Sequence, residues 1–173
     1  MTRSLGFWSR TTRPHGIVPG DASTHSGCPR NRRLFESATR KGEGMDRQRA
    51  RRSVDLYIDG WREGDKARIL DALEERCVVI ESYGPIYRGR PRVEQWVDAW
   101  FGEGNRVDRW EITSFLMAGD AAAFEWRFAC TWRGKPVEFE GASIAHFQDG
   151  KISRLREYCT TAPLYEWEGA WRS

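Results

Sequence analysis

Residues 51–89 read RRSVDLYIDGWREGDKARILDALEERCVVIESYGPIYRG, and the succession of patterns in this stretch sets the architecture. Ala50, Val54, Tyr57, Ile58 and Trp61 recur at helical spacing, which gives one apolar stripe over about four turns. Gly64 ends that helix. Asp65 is suited to cap a second one, in which Ile69, Leu70 and Leu73 face inward. Cys77 to Ser82 is short and β-branched, as a buried strand is. Gly84-Pro85 turns the chain, and Tyr87-Arg88-Gly89 makes a second turn. A phenol and a carboxylate, Tyr57 and Glu81, thus come from one helix and one strand that can share a cavity.

Beyond this stretch, Pro91 fits the first turn of a third helix whose Val93, Trp96, Val97 and Trp100 share a face, and Gly102 and Gly104 close it. The rest reads as antiparallel sheet. Arg106 to Ala118, Ala121 to Trp132, Lys135 to Gln148 and Lys151 to Cys159 are strands, joined at Gly119-Asp120, Arg133-Gly134 and Asp149-Gly150. Three helices with one short strand, followed by four hairpin-linked strands, is an α+β order: a curved, mostly antiparallel sheet with the helices in its concave face. The tail, Thr160 to Ser173, carries Pro163, Tyr165, Trp167 and Trp171, and its aromatic content predicts a segment that packs down.

At 173 residues the chain is one domain's worth and can bury a core without disulfides. The net charge of +3 is unevenly spread: residues 1–44 hold eight Lys/Arg against three Asp/Glu, and residues 45–173 hold twenty against twenty-two. The basic excess lies outside any hydrophobic period and the body has no run of five like charges, so a nucleic-acid partner is not expected. Four cysteines without a CxxC pair read as free thiols in a reducing cytoplasm. Three histidines, two of them in the first 44 residues, argue against a His-based triad or zinc centre, and no metal is expected. No apolar run reaches the ~18–20 residues that span a bilayer.

Residues 1–44, rich in Arg, Ser, Thr, Gly and Pro, read as a disordered basic extension outside the 45–173 domain. Met45 directly precedes the first helical pattern, which fits upstream sequence included by an early start. A transit peptide would share the Arg- and Ser-rich, acid-poor composition but lacks an amphipathic stripe, and a secretion signal lacks its apolar region.

Tyr57-x6-Gly64-Asp65, the Tyr87-Arg88-Gly89 turn, Phe139-Glu140-Gly141 and His146-Phe147-Gln148-Asp149-Gly150-Lys151-Ile152 together resemble the nuclear-transport-factor-2-like, or SnoaL-like, family of cone-shaped α+β domains. That family includes ketosteroid isomerases, polyketide cyclases, scytalone dehydratase and limonene epoxide hydrolase, and the resemblance covers about residues 45–171. It implies a cystatin-like roll and acid–base chemistry without a cofactor. It also implies that Tyr57 is similar to the isomerases' oxyanion-hole tyrosine and Glu81 to their catalytic aspartate in position. One departure matters: Ala145 stands where those isomerases carry a second donor, which argues against a faithful steroid isomerase.

Alternation along the last strand places Leu155, Glu157 and Cys159 on one face. If that face is the concave one, as the resemblance implies, Glu157 enters the cavity of Glu81. Two carboxylates in a dry aromatic pocket cannot both ionise cheaply, so one should keep its proton and act as the acid. Phe124, Trp126, Phe128 and Cys130 share a face, as do Ser143 and Ala145; with Trp61, Trp96 and Trp100 they would wall a pocket for a flat or apolar small molecule. Two functions are expected to compete. One is a cofactor-free enzyme with Glu81 as base, Tyr57 as hydrogen-bond donor and Glu157 as acid. The other is a non-catalytic ligand-binding or dimerisation module, and in either case the outer sheet face around Arg127 and Thr131 should form a homodimer.

Overall fold

Asp46 caps the first helix, α1 (Arg47–Glu63), its carboxylate accepting a hydrogen bond from the Arg49 amide at 2.7 Å. The structure is a computed structural model and describes residues 45–170. The expected basic extension over 1–44 and Trp171 of the tail lie outside the described residues. α1 ends where Gly64 turns left-handed at φ 71°, and it buries Ala50, Val54, Tyr57, Ile58 and Trp61, the stripe that the spacing predicts. Asp65 caps the short α2 (Lys66–Asp71) through the Arg68 amide. Gly60 lets the two helices touch, since a Cβ there would stand 2.8 Å from the Ile69 side chain. α3 (Arg90–Gly102) starts with Pro91 in its first turn and buries Val93 and Val97.

Six strands, β1 (Leu73–Ile80), β2 (Ile86–Arg88), β3 (Arg106–Ala118), β4 (Ala121–Trp132), β5 (Lys135–Gln148) and β6 (Lys151–Cys159), form one sheet. Their order is β2-β1-β6-β5-β4-β3 in a curved, mixed sheet. β1 pairs parallel with β6, and every other neighbour is antiparallel. α1 lies against β3 and β6, and α3 against β1 and β2. This is the α+β arrangement expected from the sequence, with all four long strands at their expected bounds.

Three local expectations are corrected. Leu73 belongs to β1 and not to α2: the helix-forming Leu-Glu-Glu-Arg run is drawn into the sheet, where Leu73 stands opposite Ile152 and the Ile152 amide donates to the Ala72 carbonyl at 2.9 Å. Tyr87 and Arg88 are not a turn but part of β2, because residues 81–85 already reverse the chain and bring Ile86 opposite Ile80. The described part of the tail, residues 160–170, stays largely exposed instead of burying its aromatics: Leu164 and Trp167 are 76% and 60% exposed, and Tyr165 is half-buried. Its aromatics follow neither period that would gather them on one face.

The core joins the inner stripe of α1 and α3 to the inner face of the sheet. Tyr57, Ile69, Leu73, Val79, Val93, Val97, Ile152 and Leu155 are fully buried in it. Each such aliphatic side chain contributes about 1.5–3 kcal/mol relative to exposure. Ion pairs such as Arg51 with Asp55 or Arg127 with Glu140 are largely exposed and worth about 1 kcal/mol at most, so apolar burial holds the fold.

Candidate active site

Tyr57 sits at the middle of the α1 stripe, 1% exposed, with its ring edge-on to Trp61 at 6.3 Å and to Trp110 of β3 at 6.0 Å. Its hydroxyl has no hydrogen-bond partner. Burial raises its pKa well above the usual phenol value, the charge of Glu157 adds to that, and Glu81 adds less. The Trp61 indole N–H faces the hydroxyl closely enough to ease its ionisation by more than Glu81 opposes it, although the pair falls short of hydrogen-bond geometry. An orphaned buried polar group costs about 1–3 kcal/mol.

The two carboxylates are brought together by the one parallel pairing in the sheet. Val79 stands opposite Leu155 and Ile80 opposite Arg156, so Glu81 and Glu157 are the next residues along each chain. Val79 and Leu155 are fully buried, and period-two alternation puts Glu81 and Glu157 on that same inner side. Glu81 itself lies just past the end of β1 rather than within the strand. Its amide donates to the Pro85 carbonyl at 3.1 Å and its carbonyl accepts from Gly84 at 3.2 Å, which anchors it in the 81–85 turn.

That turn supplies two partners that sequence reasoning missed. The Tyr83 hydroxyl donates to Glu81 Oε1 at 2.8 Å and the Tyr87 hydroxyl to Oε2 at 2.7 Å. Arg90, nine residues further along the chain, lies near Asp71 and Glu75. The signal available in the sequence was Tyr83 and Tyr87 at two and six residues from Glu81, legible only once residues 86–88 are seen as a strand folding back. Burial raises the Glu81 pKa, while both phenol hydrogen bonds act to lower it.

Glu157 has the opposite surroundings. The residue is half-buried, but its Oε1 has no solvent contact and no hydrogen-bond partner. Arg156 turns away to lie over the Tyr158 ring at 5.0 Å. Desolvation, with the nearby Glu81 charge second, pushes the Glu157 carboxyl up to about 8. A carboxyl pushed up to about 8 holds its proton near neutral pH, whereas Glu81, though raised by burial, has two phenol donors that favour its charged form.

The expected wall residues divide into groups. Trp61 meets Trp96 at 4.7 Å and Trp100 at 5.4 Å, and Trp96 stacks on Tyr87 at 4.4 Å and 9°, which makes Trp96 a support for the Glu81 clamp. Trp126 is buried and its indole donates to the fully buried Ser143 Oγ at 2.9 Å, so these two satisfy each other. Gly141 permits that geometry: a Cβ there would fall 2.3 Å from the Trp126 ring. Phe128 is half-buried and packs on Trp110 and Phe139. Ala145 is fully buried opposite Leu155 and offers no polar side-chain atom. Cys130 is buried with its thiol pushed up to about 11, chiefly by burial, and is a poor nucleophile. Trp110, whose indole nitrogen has no partner, is the wall residue that sequence reasoning missed.

Elsewhere, a groove of about 460 Å³ opens on the outer sheet face between Glu125, Arg127, Glu140, Ala142 and Tyr158. His146 is exposed, as its strand parity predicts. Among the described residues no group of His, Cys, Asp and Glu could hold a metal ion, and no helix is long and apolar enough to cross a membrane.

A family model described as the SnoaL-like domain matches residues 54–155. Among solved structures, an LEH-like epoxide hydrolase from M. tuberculosis is similar with a TM-score of 0.60 and 20% identity, over 65% of this chain and 84% of that one. A protein with a ketosteroid isomerase-like fold from Catenulispora acidiphila, in complex with trimethylamine, is similar at 0.54 and 17%, over 61% and 83%. A protein of unknown function with a cystatin-like fold from Methylobium petroleophilum is similar at 0.56 and 23%, over 75% and 85%. At these identities the likeness is one of fold. No curated protein matches the chain.

Proposed function

We propose, for a chain that belongs to the SnoaL-like domain family, a cofactor-free acid–base enzyme acting on an apolar small molecule with a carbonyl, hydroxyl or epoxide group. The observation that carries this reading is the unequal pair of carboxylates: Glu81 held by two phenols, and Glu157 beside it with an orphaned oxygen and a pKa pushed up to about 8. In this reading Glu81 takes a proton from a carbon acid or from water. The Tyr57 hydroxyl donates to the oxygen on which negative charge develops, and Glu157 gives its proton to the departing or newly basic atom. The net result is a proton moved from Glu157 to Glu81, which exchange with solvent resets. Isomerisation, dehydration, cyclisation and epoxide opening all fit this ledger. The three free cysteines among the described residues fit a reducing, cytoplasmic setting.

Turnover on a panel of ketones and epoxides, measured for wild type, Glu81→Gln, Glu157→Gln and Tyr57→Phe, tests the reading. Each variant should keep its circular dichroism spectrum, and the two carboxylate variants should lose on the order of 100-fold to 10,000-fold in kcat. Unchanged turnover in both carboxylate variants refutes it. The second reading, a non-catalytic ligand-binding or dimerisation module, is favoured by a different fact: both Glu81 oxygens already have partners within the chain. A homodimer through the outer sheet face belongs to either reading and is supported by exposed Ile144 and Tyr158 on β5 and β6 and by the groove beside them.

A further inference from the structure

Trp96 of α3 stands between the two halves of the candidate site. On one side it meets Trp61 at 4.7 Å, and the Trp61 ring is edge-on to Tyr57. On the other it lies flat on Tyr87 at 4.4 Å and 9°, and the Tyr87 hydroxyl donates to Glu81 Oε2 at 2.7 Å. The backbone at both ends of that stack is fixed: Val93 and Val97, fully buried, hold α3 down, and Tyr87 is paired with Val79 of β1. What the backbone leaves open is the swing of the phenol about its side-chain torsions, and a ring stacked face to face closes off that swing on one side. Tyr83, the other donor to Glu81, sits in the 81–85 turn and is 48% exposed, so the two halves of the clamp are placed by different means.

We infer that Trp96 is a positioning residue: by stacking on Tyr87 it holds that hydroxyl against Glu81 Oε2 and so favours the charged carboxylate. This rests on the reading of Glu81 as the base, and it gives Trp96 a role other than lining a pocket. A hydrogen bond stabilises a carboxylate only while its donor is in place, so whatever fixes the donor acts on the acid. The groups that face Glu81 are Tyr83 from its own turn, Tyr87 from β2, Glu157 from β6 and Tyr57 from α1, and Trp96 reaches it through Tyr87. Two influences on Glu81 have opposite signs: burial, the larger, raises its pKa, and the phenol hydrogen bonds lower it. Removing Trp96 as mere packing would admit water and lower the Glu81 pKa, whereas losing the Tyr87 donor would raise it. The sign of the change therefore separates a positioning role from a structural one.

A carbon-NMR titration of the full chain with labelled glutamate carboxyl carbons, assigned with Glu81→Gln, tests this without a substrate. Trp96→Leu should raise the Glu81 pKa to an extent comparable with Tyr87→Phe, and in the Tyr87→Phe background it should add no further rise. Trp96→Phe, which keeps a flat ring, should restore the wild-type titration. Trp100→Leu is the packing control: the Trp100 ring meets Trp61 and Phe101, so this variant should lose stability without raising the Glu81 pKa. If Trp96→Leu fails to fold, Trp96→Met, which fills space without a ring, takes its place. A Glu81 pKa that stays or falls in these Trp96 variants, or that rises as much without the Tyr87 hydroxyl, would overturn the assignment. The signal is a proton on Glu81 and not turnover, so the two readings fail separately. Lost turnover in Glu81→Gln with an unmoved Trp96→Leu titration removes only the positioning role, and a raised titration with unchanged turnover in Glu81→Gln removes only the base.

Discussion

The Tyr87 hydroxyl donates to Glu81 Oε2 at 2.7 Å across the turn that joins β1 to β2, and Tyr83 holds the other oxygen at 2.8 Å. A carboxylate with both oxygens engaged is stabilised in its charged form, so the clamp opposes the desolvation that raises the Glu81 pKa. Tyr83→Phe and Tyr87→Phe should each raise the Glu81 pKa, and the acidic limb of a kcat/KM profile should move to higher pH. A profile unmoved in both variants would mean that Glu81 is not the group that must be ionised.

Glu157 makes stability depend on pH with a definite sign. Its carboxyl titrates at the ordinary 4.5 when unfolded and at about 8 when folded. Between those values the folded state keeps a proton that the unfolded chain has lost. The contribution is therefore fully present below about 4.5 and is lost as pH rises toward about 8, where it levels off. The wild-type melting temperature should fall across that window, and Glu157→Gln should flatten the fall; Glu81, whose pKa is raised in the same direction, contributes to what remains. Parallel wild-type and variant curves would contradict this.

Gly141 is the residue across which Trp126 reaches Ser143. Gly141→Ala would place a Cβ 2.2 Å from the Tyr158 carbonyl oxygen and 2.3 Å from the Trp126 ring. Neither backbone nor a buried ring yields easily, so a loss of about 1–3 kcal/mol in denaturant unfolding is expected. Gly102→Ala, with nothing within 4 Å of its Cβ, is the control and should be neutral within about 1 kcal/mol.

The outer face of β5 and β6 carries Ile144 and Tyr158 at 41% and 45% exposure beside the Arg127–Glu140 ion pair. Light scattering should give a dimer for wild type, and Ile144→Glu with Tyr158→Glu should give a monomer with an unchanged circular dichroism spectrum. A wild-type monomer would refute the interface.

Local patterns were enough for α1, α3 and the four long strands, because each has one clear period bounded by Gly, Pro or Asp. They were enough to nominate Tyr57, Glu81 and Glu157, since helical and strand parity put those groups on inner faces. What the sequence hid depends on long-range pairing. Leu73 follows helical spacing until Ile152 claims it for the sheet, and residues 86–88 look like a turn until β1 is beside them. The Tyr83 and Tyr87 clamp follows from that second miss. Trp110 was passed over because one tryptophan in a long strand looks like packing, and only the missing acceptor marks it out.

The protonation of the two adjacent carboxyls bears on the acid–base account before any substrate is known. A carbon-NMR titration of the labelled glutamate carboxyl carbons, with Glu157→Gln and Glu81→Gln for assignment, reads it for each group separately. One carboxyl, absent in Glu157→Gln, should titrate at about 8 and remain protonated at neutral pH while Glu81 is ionised. If instead both carboxyls titrate together in the ordinary range around 4.5, no acid is held ready beside the base and the account fails.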